Sequence, residues 1–594
     1  PQESERCCRV VPVMFYVRSF VLVITMPPAI TIVTLLVDES VVGTSDSWPF
    51  VHKRSSYGYK RGVRMMTRMR RCQRISRSMI MMYLCLFLWV GESAFVAEPE
   101  RTWSVSLPGA GKLGGRSLVR GNAIVVSNDG STLYITTDDG TLVLVDTQSQ
   151  TTLAAFEPPI LEGSVPECRS GVSLHHHPSG SVRYAVYVVM DIPYSVGVSY
   201  GSISASSRLN PNELSSRVMA VNPDGSLRWS YSLEGYVAGT PQIGSMDDGK
   251  YVYVSQNILL NDDNSDNNNN ERFRGMITVL LDRGSSAGVE LVAQKSFGSR
   301  VGPYGPLTIQ SMDLGVMSTQ NSDVVIWSES WGEGYVQDGR VYALWSIGDE
   351  DEGTHEFRIR TLSRWQFPSV TAPTVSANGR SMYSTYGSAI VAGWSANDND
   401  PNTHIDAILK NDGDPISPTW GVYVQWSERN DTQPILTSAV VSNDNKFLYL
   451  NSAALKFYCL DTKTGDRVWI DEDSDSTYMV QPKLVEIPGQ VPVIYTIESL
   501  TGRVRQHNAL TGTRNWKMDC SDLTGDNLCS DLVEADFAVS KDNNVLYYGS
   551  VFGTISAVRV GTFPTLAPTP VPTKSPSNIS PSDTSPSDTR WDDE

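Results

Sequence analysis

Residues 440–469 read VVSNDNKFLYLNSAALKFYCLDTKTGDRVW, and this stretch decides the fold. Val440-Val441, a polar turn at Asn443-Asp444-Asn445 and the apolar run Leu448-Tyr449-Leu450 have the pattern of a β-hairpin. A second apolar run, Phe457–Leu460, leads into Asp461-Thr462-Lys463-Thr464-Gly465. That turn calls for a positive φ at Gly465, which glycine adopts without steric cost. A further strand carrying Trp469 follows. Short strands with turns between them predict one blade of an all-β repeat protein.

The hairpin recurs along the chain. Ser442 stands six residues before Leu448-Tyr449, and the same spacing joins Ser127 to Leu133-Tyr134, Ser376 to Met382-Tyr383 and Ser540 to Leu546-Tyr547. Val252-Tyr253 follows Ser245 with one inserted residue, and looser copies fall at Val186-Tyr187, Ile326-Trp327 and Ile494-Tyr495. The eight aromatic markers are separated by 53, 66, 74, 56, 66, 46 and 52 residues. Such intervals are too long for one hairpin each and suit a four-stranded blade with variable loops. The Gly-to-Trp turn recurs as Gly225 with Trp229 and Gly512 with Trp516, beside Gly465 with Trp469. Each Trp is expected to fill the gap between neighbouring blades. Fainter versions occur near Asp146 and Asp282, and residues 258–330 are poorly patterned.

An apolar strand, Asp-x-x-x-Gly and then Trp is similar to the pyrroloquinoline-quinone-type repeat propellers of the quinoprotein alcohol dehydrogenase-like superfamily. The resemblance covers roughly residues 101–561. It implies an all-β propeller of about eight four-stranded blades, with seven as the alternative count. Ring closure is expected from the last hairpin and the mature amino end. The last hairpin ends at Gly553–Val558 with no Trp strand after it, while Arg101-Thr102-Trp103-Ser104-Val105 is a Trp strand with no turn before it. Pairing the two would close the ring and remove an exposed edge.

The remaining segments divide as follows. Residues 1–97 carry 13 Lys and Arg against 6 Asp and Glu, whereas 98–594 carry 35 against 59. A body that acidic repels phosphate backbones, so nucleic-acid binding is excluded. Residues 65–97 have a signal-peptide plan: Arg68, Arg70, Arg71, Arg74 and Arg77, then apolar Met79–Val90, then small residues. A retained membrane anchor is the alternative. A start at Met65, Met66 or Met69 would make residues 1–64 a doubtful or untranslated extension. Within it, the apolar residues 20–37 are interrupted by Pro27-Pro28. The propeller is expected over 98–561. Residues 562–594, rich in Pro, Ser and Thr, are expected to form a disordered stalk.

Export would permit disulfides and glycosylation. Cys520 and Cys529 flank a short polar loop and are expected to pair; a Cys168–Cys459 pair is a further option with nothing local behind it. Asn430 and Asn578 head glycosylation sequons.

Motifs that could carry chemistry lack their contexts. Gly109–Gly114 matches a dinucleotide fingerprint, yet a strand follows where a helix is required. Gly197–Gly201 matches a nucleophile elbow without an α/β sheet behind it. His175-His176-His177 would point alternately on an extended segment and is expected to be a solvated loop. Asp262, Asn264 and Asp266 have calcium-loop spacing without its glycine and glutamate. Asp471, Asp473 and Asp475 are expected to form a solvated turn. The superfamily's alcohol enzymes use a quinone over a Trp, a calcium ion and a disulfide between adjacent cysteines, but the only adjacent pair here is Cys7-Cys8, outside the propeller. Non-enzymatic members of that superfamily use the fold as a binding platform.

The expectation is therefore a secreted, cell-surface or lumenal noncatalytic binding scaffold, monomeric, with an unknown protein or glycan ligand. No catalytic residue, metal or cofactor is assigned. A pyrroloquinoline quinone-dependent alcohol or sugar dehydrogenase, using quinone and calcium, is the alternative. Membrane contact would arise only through an uncleaved amino-terminal anchor.

Overall fold

The computed structural model describes residues 18–19, 37–38, 99–107 and, apart from short internal stretches, 123–193, 215–260, 272–301, 314–365, 372–395, 420–423, 437–518 and 537–560. The chain divides into two compact units, 1–92 and 93–594. In the first, Arg18–Ser19 pairs antiparallel with Val37–Asp38. All other described strands belong to the second, and among the described residues every regular element is a strand.

The second unit is a β-propeller. Seven sheets are built from consecutive strands: sheet 1 (124–156), sheet 2 (164–234), sheet 3 (242–301), sheet 4 (314–365), sheet 5 (374–423), sheet 6 (440–471) and sheet 7 (483–518). Each has four antiparallel strands except sheet 2, where Ser164–Glu167 and Ser173–His176 both pair with the long strand Val182–Pro193. One more sheet is composite. Ala538–Val539, Val545–Gly549 and Thr554–Arg559 form three strands of sheet 8, and Glu100–Ser106 adds the fourth against Thr554–Arg559. Sheet 8 packs on both neighbours: Leu546 and Tyr548 share a core with Val493 and Tyr495 of sheet 7, while Tyr547 and Ala557 share one with Leu133 and Leu144 of sheet 1.

The eight aromatic markers all fall on the second strand of their sheets. Register explains their partnership with the Trp residues. Tyr449 lies opposite Cys459, which lies opposite Trp469. Tyr495, Gln506 and Trp516 repeat the row in sheet 7, and Tyr547, Ala557 and Trp103 repeat it in sheet 8. Next to that row the outer strand bulges, with an extra residue at Val468, Asn515 and Thr102 and likewise at Leu153, Arg228 and Val292. A bulge bends and twists its strand. Glu100–Ser106 therefore reproduces, in row and in bulge, the outer strands of sheets 6 and 7.

The serine that opens each hairpin has a local reason. The Ser442 hydroxyl accepts from the Phe447 amide at 3.0 Å and donates to Asp444 at 2.8 Å. Ser127, Ser376 and Ser540 accept from the amides of Thr132, Ser381 and Val545 in the same way. This side-chain bond replaces a ladder bond at the turn and fixes its register.

Residues 258–330, poorly patterned in sequence, contain long strands: Arg272–Asp282 and Val289–Val301 in sheet 3, and Leu314–Ser318 and Asp323–Trp331 in sheet 4. The strand just before them, Tyr251–Leu260, carries the buried polar residues Ser255, Gln256 and Asn257. The Thr278 hydroxyl donates to Gln256 Oε1 at 3.0 Å, so a polar pair sits satisfied within the core of sheet 3.

Candidate functional site

The seams between sheets carry the residues that the repeats single out. In the seam of sheets 6 and 7, the Trp469 indole donates to the Ala509 carbonyl at 3.0 Å, and the Tyr449 hydroxyl donates to the same oxygen at 3.1 Å. Ala509 lies in the turn that ends at Gly512, whose φ is +73°. A Cβ on Gly512 would lie 2.6 Å from the Trp469 ring, so this glycine serves both the turn and the close approach of the neighbouring Trp. Gly225, at φ +83°, is approached in the same way by Ala154 of sheet 1. Gly465 has φ +76°. Trp516 lies 6.1 Å from its own marker Tyr495, and Trp103 lies 6.0 Å from Tyr547.

The faint repeat at Asp146 proves to be the same turn as that at Asp461, each with an i+4 amide bonded to the Asp carbonyl. Asp461 accepts from the amides of Lys463 and Thr464, and Asp146 accepts from those of Gln148 and Ser149. At the position of Gly465, however, sheet 1 has Gln150 with φ +62°. Asp282 of sheet 3 accepts from the Gly284 amide and from the Trp229 indole of sheet 2 at 3.2 Å. Arg228, beside that Trp, donates to Asp282 at 3.0 Å and lies over the Tyr184 ring at 5.0 Å.

A second group of residues gathers where second strands end and third strands begin. In sheet 2, Arg217 makes a bidentate pair with Asp191, with Nε and Nη2 donating at 2.7 and 2.6 Å, and Nη2 also donates to the Pro159 carbonyl. In sheet 7, Arg505 is ion-paired with Glu498 and reaches Asp471 of sheet 6 at 3.4 Å. His507 Nε2 lies 2.7 Å from the same Asp471 oxygen. Glu498 also accepts from the Thr501 hydroxyl and lies 3.6 Å from Arg503. Side chains of Glu498 and His507 are 0% exposed and that of Arg505 is 1% exposed. Burial holds the His507 imidazole below its ordinary pKa, against the opposing pull of Asp471.

This cluster corrects the expectation that Asp471 lies in a solvated turn: it ends the outer strand of sheet 6 and is largely covered by sheet 7. Its partners were invisible in sequence because Asp471 and Arg505 belong to different sheets. The expected partners of that turn, Asp473 and Asp475, lie outside the described residues.

The histidine run is not a solvated loop. His175 and His176 lie on an inner strand of sheet 2, and His175 is buried, its ring edge-on to Tyr184 at 4.8 Å. His176 is half-buried and accepts from the Asn128 amide at 3.2 Å; burial lowers its pKa. His177 is exposed beside Ser179. The rings point to different surroundings, as alternation on a strand requires. Among the described residues no group of three or more His, Cys, Asp or Glu side chains could hold a metal.

Cys168 and Cys459 are both buried and free, so the optional pair between them does not form. Burial pushes the Cys168 thiol up to about 12 and raises that of Cys459 as well, which leaves both as unreactive packing groups. Cys520, Cys529, Asn430, Asn578, Asp262, Asn264 and Asp266 lie outside the described residues, as do both glycine motifs and the segments 65–97 and 562–594. Among the described residues no helix is long and apolar enough to cross a membrane.

No family model matches the chain, and no curated protein matches it. Solved structures do. BamB from Moraxella catarrhalis is 13% identical, with 78% of this chain and 99% of that chain covered and a TM-score of 0.44. Sqt1 of Saccharomyces cerevisiae is 9% identical over 78% and 99%, with a TM-score of 0.47. The C-terminal WD40 domain of Sif2 is 9% identical over 79% and 100%, with a TM-score of 0.45. Likeness at this level does not bear on activity or ligand, and the propeller assignment rests on the sheet order itself. The resemblance to pyrroloquinoline-quinone-type repeats remains one of motif.

Proposed function

We propose that this chain is an exported, noncatalytic propeller that binds a protein or glycan through the loops of its faces. The observation that supports this reading is the employment of its buried charges. Asp191 with Arg217, Asp282 with Arg228, and Glu498 and Asp471 with Arg505 are neutralised within or between sheets. Paired in this way they fix the scaffold, and recognition is left to loops held on a rigid frame. The pairing of Glu100–Ser106 with Thr554–Arg559 supports a further element of the proposal, that sheet 8 acts as an eighth blade closing the ring. The acidic body favours cationic or polar partners.

The test uses the full chain expressed in a secretory host. Pyrroloquinoline quinone and calcium are added, and dye-linked oxidation of alcohols and sugars is followed. The expected result is no turnover; sustained turnover would overturn the noncatalytic reading. Export has its own test: the mature amino terminus is expected near residue 98, and a chain still beginning before Met79 would contradict it.

A further inference from the structure

We infer that the seam between sheets 6 and 7 contains an internal binding site for ordered water, independent of whatever the loops recognise. The argument begins with register. Thr496 lies opposite Arg505, and Ile494 lies opposite His507, on adjacent strands of sheet 7. Residues two apart on a strand share a face, so Thr496, Arg505 and His507 project from one side within two rows. That side faces sheet 6: Ile494 packs with Tyr449 and Phe457, and the Phe457 ring lies 5.4 Å from His507.

Sheet 6 answers with Asn451. It is two residues from Tyr449, whose hydroxyl reaches across to Ala509, so Asn451 looks the same way. Its Nδ2 donates to the Val480 carbonyl at 2.7 Å. Besides Glu498 Oε1, which is ion-paired with Arg505, four polar atoms in this seam make no hydrogen bond to protein: Asn451 Oδ1, Thr496 Oγ1, Arg505 Nε and His507 Nδ1. Their residues are at most 1% exposed. A buried polar atom without a partner costs about 1–3 kcal/mol, and four in one seam on two facing sheets call for a shared partner.

The donor set identifies it. The Arg505 Nε–H is a donor. Because His507 Nε2 faces a carboxylate, neutral His507 carries its proton on Nε2 and presents a lone pair at Nδ1. Asn451 Oδ1 is an acceptor, and the Thr496 hydroxyl is both. A ligand must therefore accept from one group and donate to two others. Water does this with about three hydrogen bonds, the usual number for a buried site. A cation would meet the Arg505 guanidinium, and an anion would meet Asp471 and Glu498; both are disfavoured by the charges already present.

A crystal structure of the full chain at a resolution that shows ordered water provides the test. The expected result is a water within hydrogen-bond distance of Arg505 Nε and at least one of His507 Nδ1, Asn451 Oδ1 and Thr496 Oγ1. A dry seam in which these atoms pair with one another would overturn the inference. So would an anomalous peak at that place after a rubidium or bromide soak. Nitrogen-15 shifts of His507 give a second measurement without a variant: a neutral ring with its proton on Nε2 at neutral pH is expected, and a proton on Nδ1 would overturn the assignment.

Discussion

Replacing Gly512 by alanine tests whether the Gly-to-Trp repeat is a clasp between sheets or only a turn signal. Gly512 has φ +73°, and an added Cβ would lie 2.6, 2.8 and 2.9 Å from Cδ2, Cε3 and Cγ of Trp469. The left-handed conformation itself costs a non-glycine residue about 1–2 kcal/mol. The ring has little room to yield, since it packs against Phe457 at 5.2 Å and Tyr449 at 6.0 Å and stacks on His507 at 6.5 Å. Overpacking of this kind costs about 1–3 kcal/mol, and displacing the indole from the Ala509 carbonyl forfeits a further ~1 kcal/mol. Gly512→Ala is thus expected to destabilise by roughly 3–6 kcal/mol. Gly130→Ala is the control: its φ is +75°, but a Cβ there meets nothing within 4 Å. It should cost only the conformational ~1–2 kcal/mol. Urea unfolding of both variants, followed by circular dichroism, measures the difference. Equal losses would refute the clasp. In the Trp469→Leu background the excess cost of Gly512→Ala should largely vanish.

Other consequences concern sheets 1, 6 and 7 and the loop that follows. Gln150→Gly relieves a non-glycine residue at φ +62° and, after the entropic cost of glycine, should stabilise by about 0.5–1 kcal/mol in the same assay. His507 has a folded pKa below its unfolded value, chiefly from burial, so its contribution is fully present above about pH 6.5 and is lost as pH falls through the folded value. A His507→Gln variant should show a flatter decline of stability with acidification; an unchanged profile would remove His507 from the cause. Cys520 and Cys529 are expected to be bridged, closing a loop that contributes about 2–3 kcal/mol. Mass mapping of a nonreduced digest should find the linked peptide, and free thiols at both positions would contradict it.

The fold was legible because its signals are local. Ser442, the Asn-Asp-Asn turn and Gly465 act within a few residues of themselves, and each has a backbone reason visible in the turn it makes. Sheet 1 was harder because Gln150 stands where the repeat wants glycine and Ala154 where it wants Trp, although the Asp146 turn is intact. Sheet 5 hid its outer strand too: Trp420 lies opposite Gly393 in the row of the other Trp residues, but a long insertion separates it from the preceding strand. The polar seam was not legible at all. No sequence motif singles out Arg505, Glu498 or His507, and the approach of Asp471 from another sheet is what joins Arg505 and His507 into one cluster.

Amide hydrogen exchange on the segment 100–106 tests the central claim, that residues 100–106 and 554–559 share one sheet. Backbone pairing runs from Glu100 opposite Arg559 to Ser106 opposite Thr554, and the Leu107 amide donates to the Gly553 carbonyl at 2.8 Å. Amides in a ladder exchange only through opening of that ladder. The account predicts that peptides covering 100–106 are protected to the same degree as those covering 554–559. Exchange of 100–106 at the rate of a free peptide, with 554–559 still protected, would contradict it.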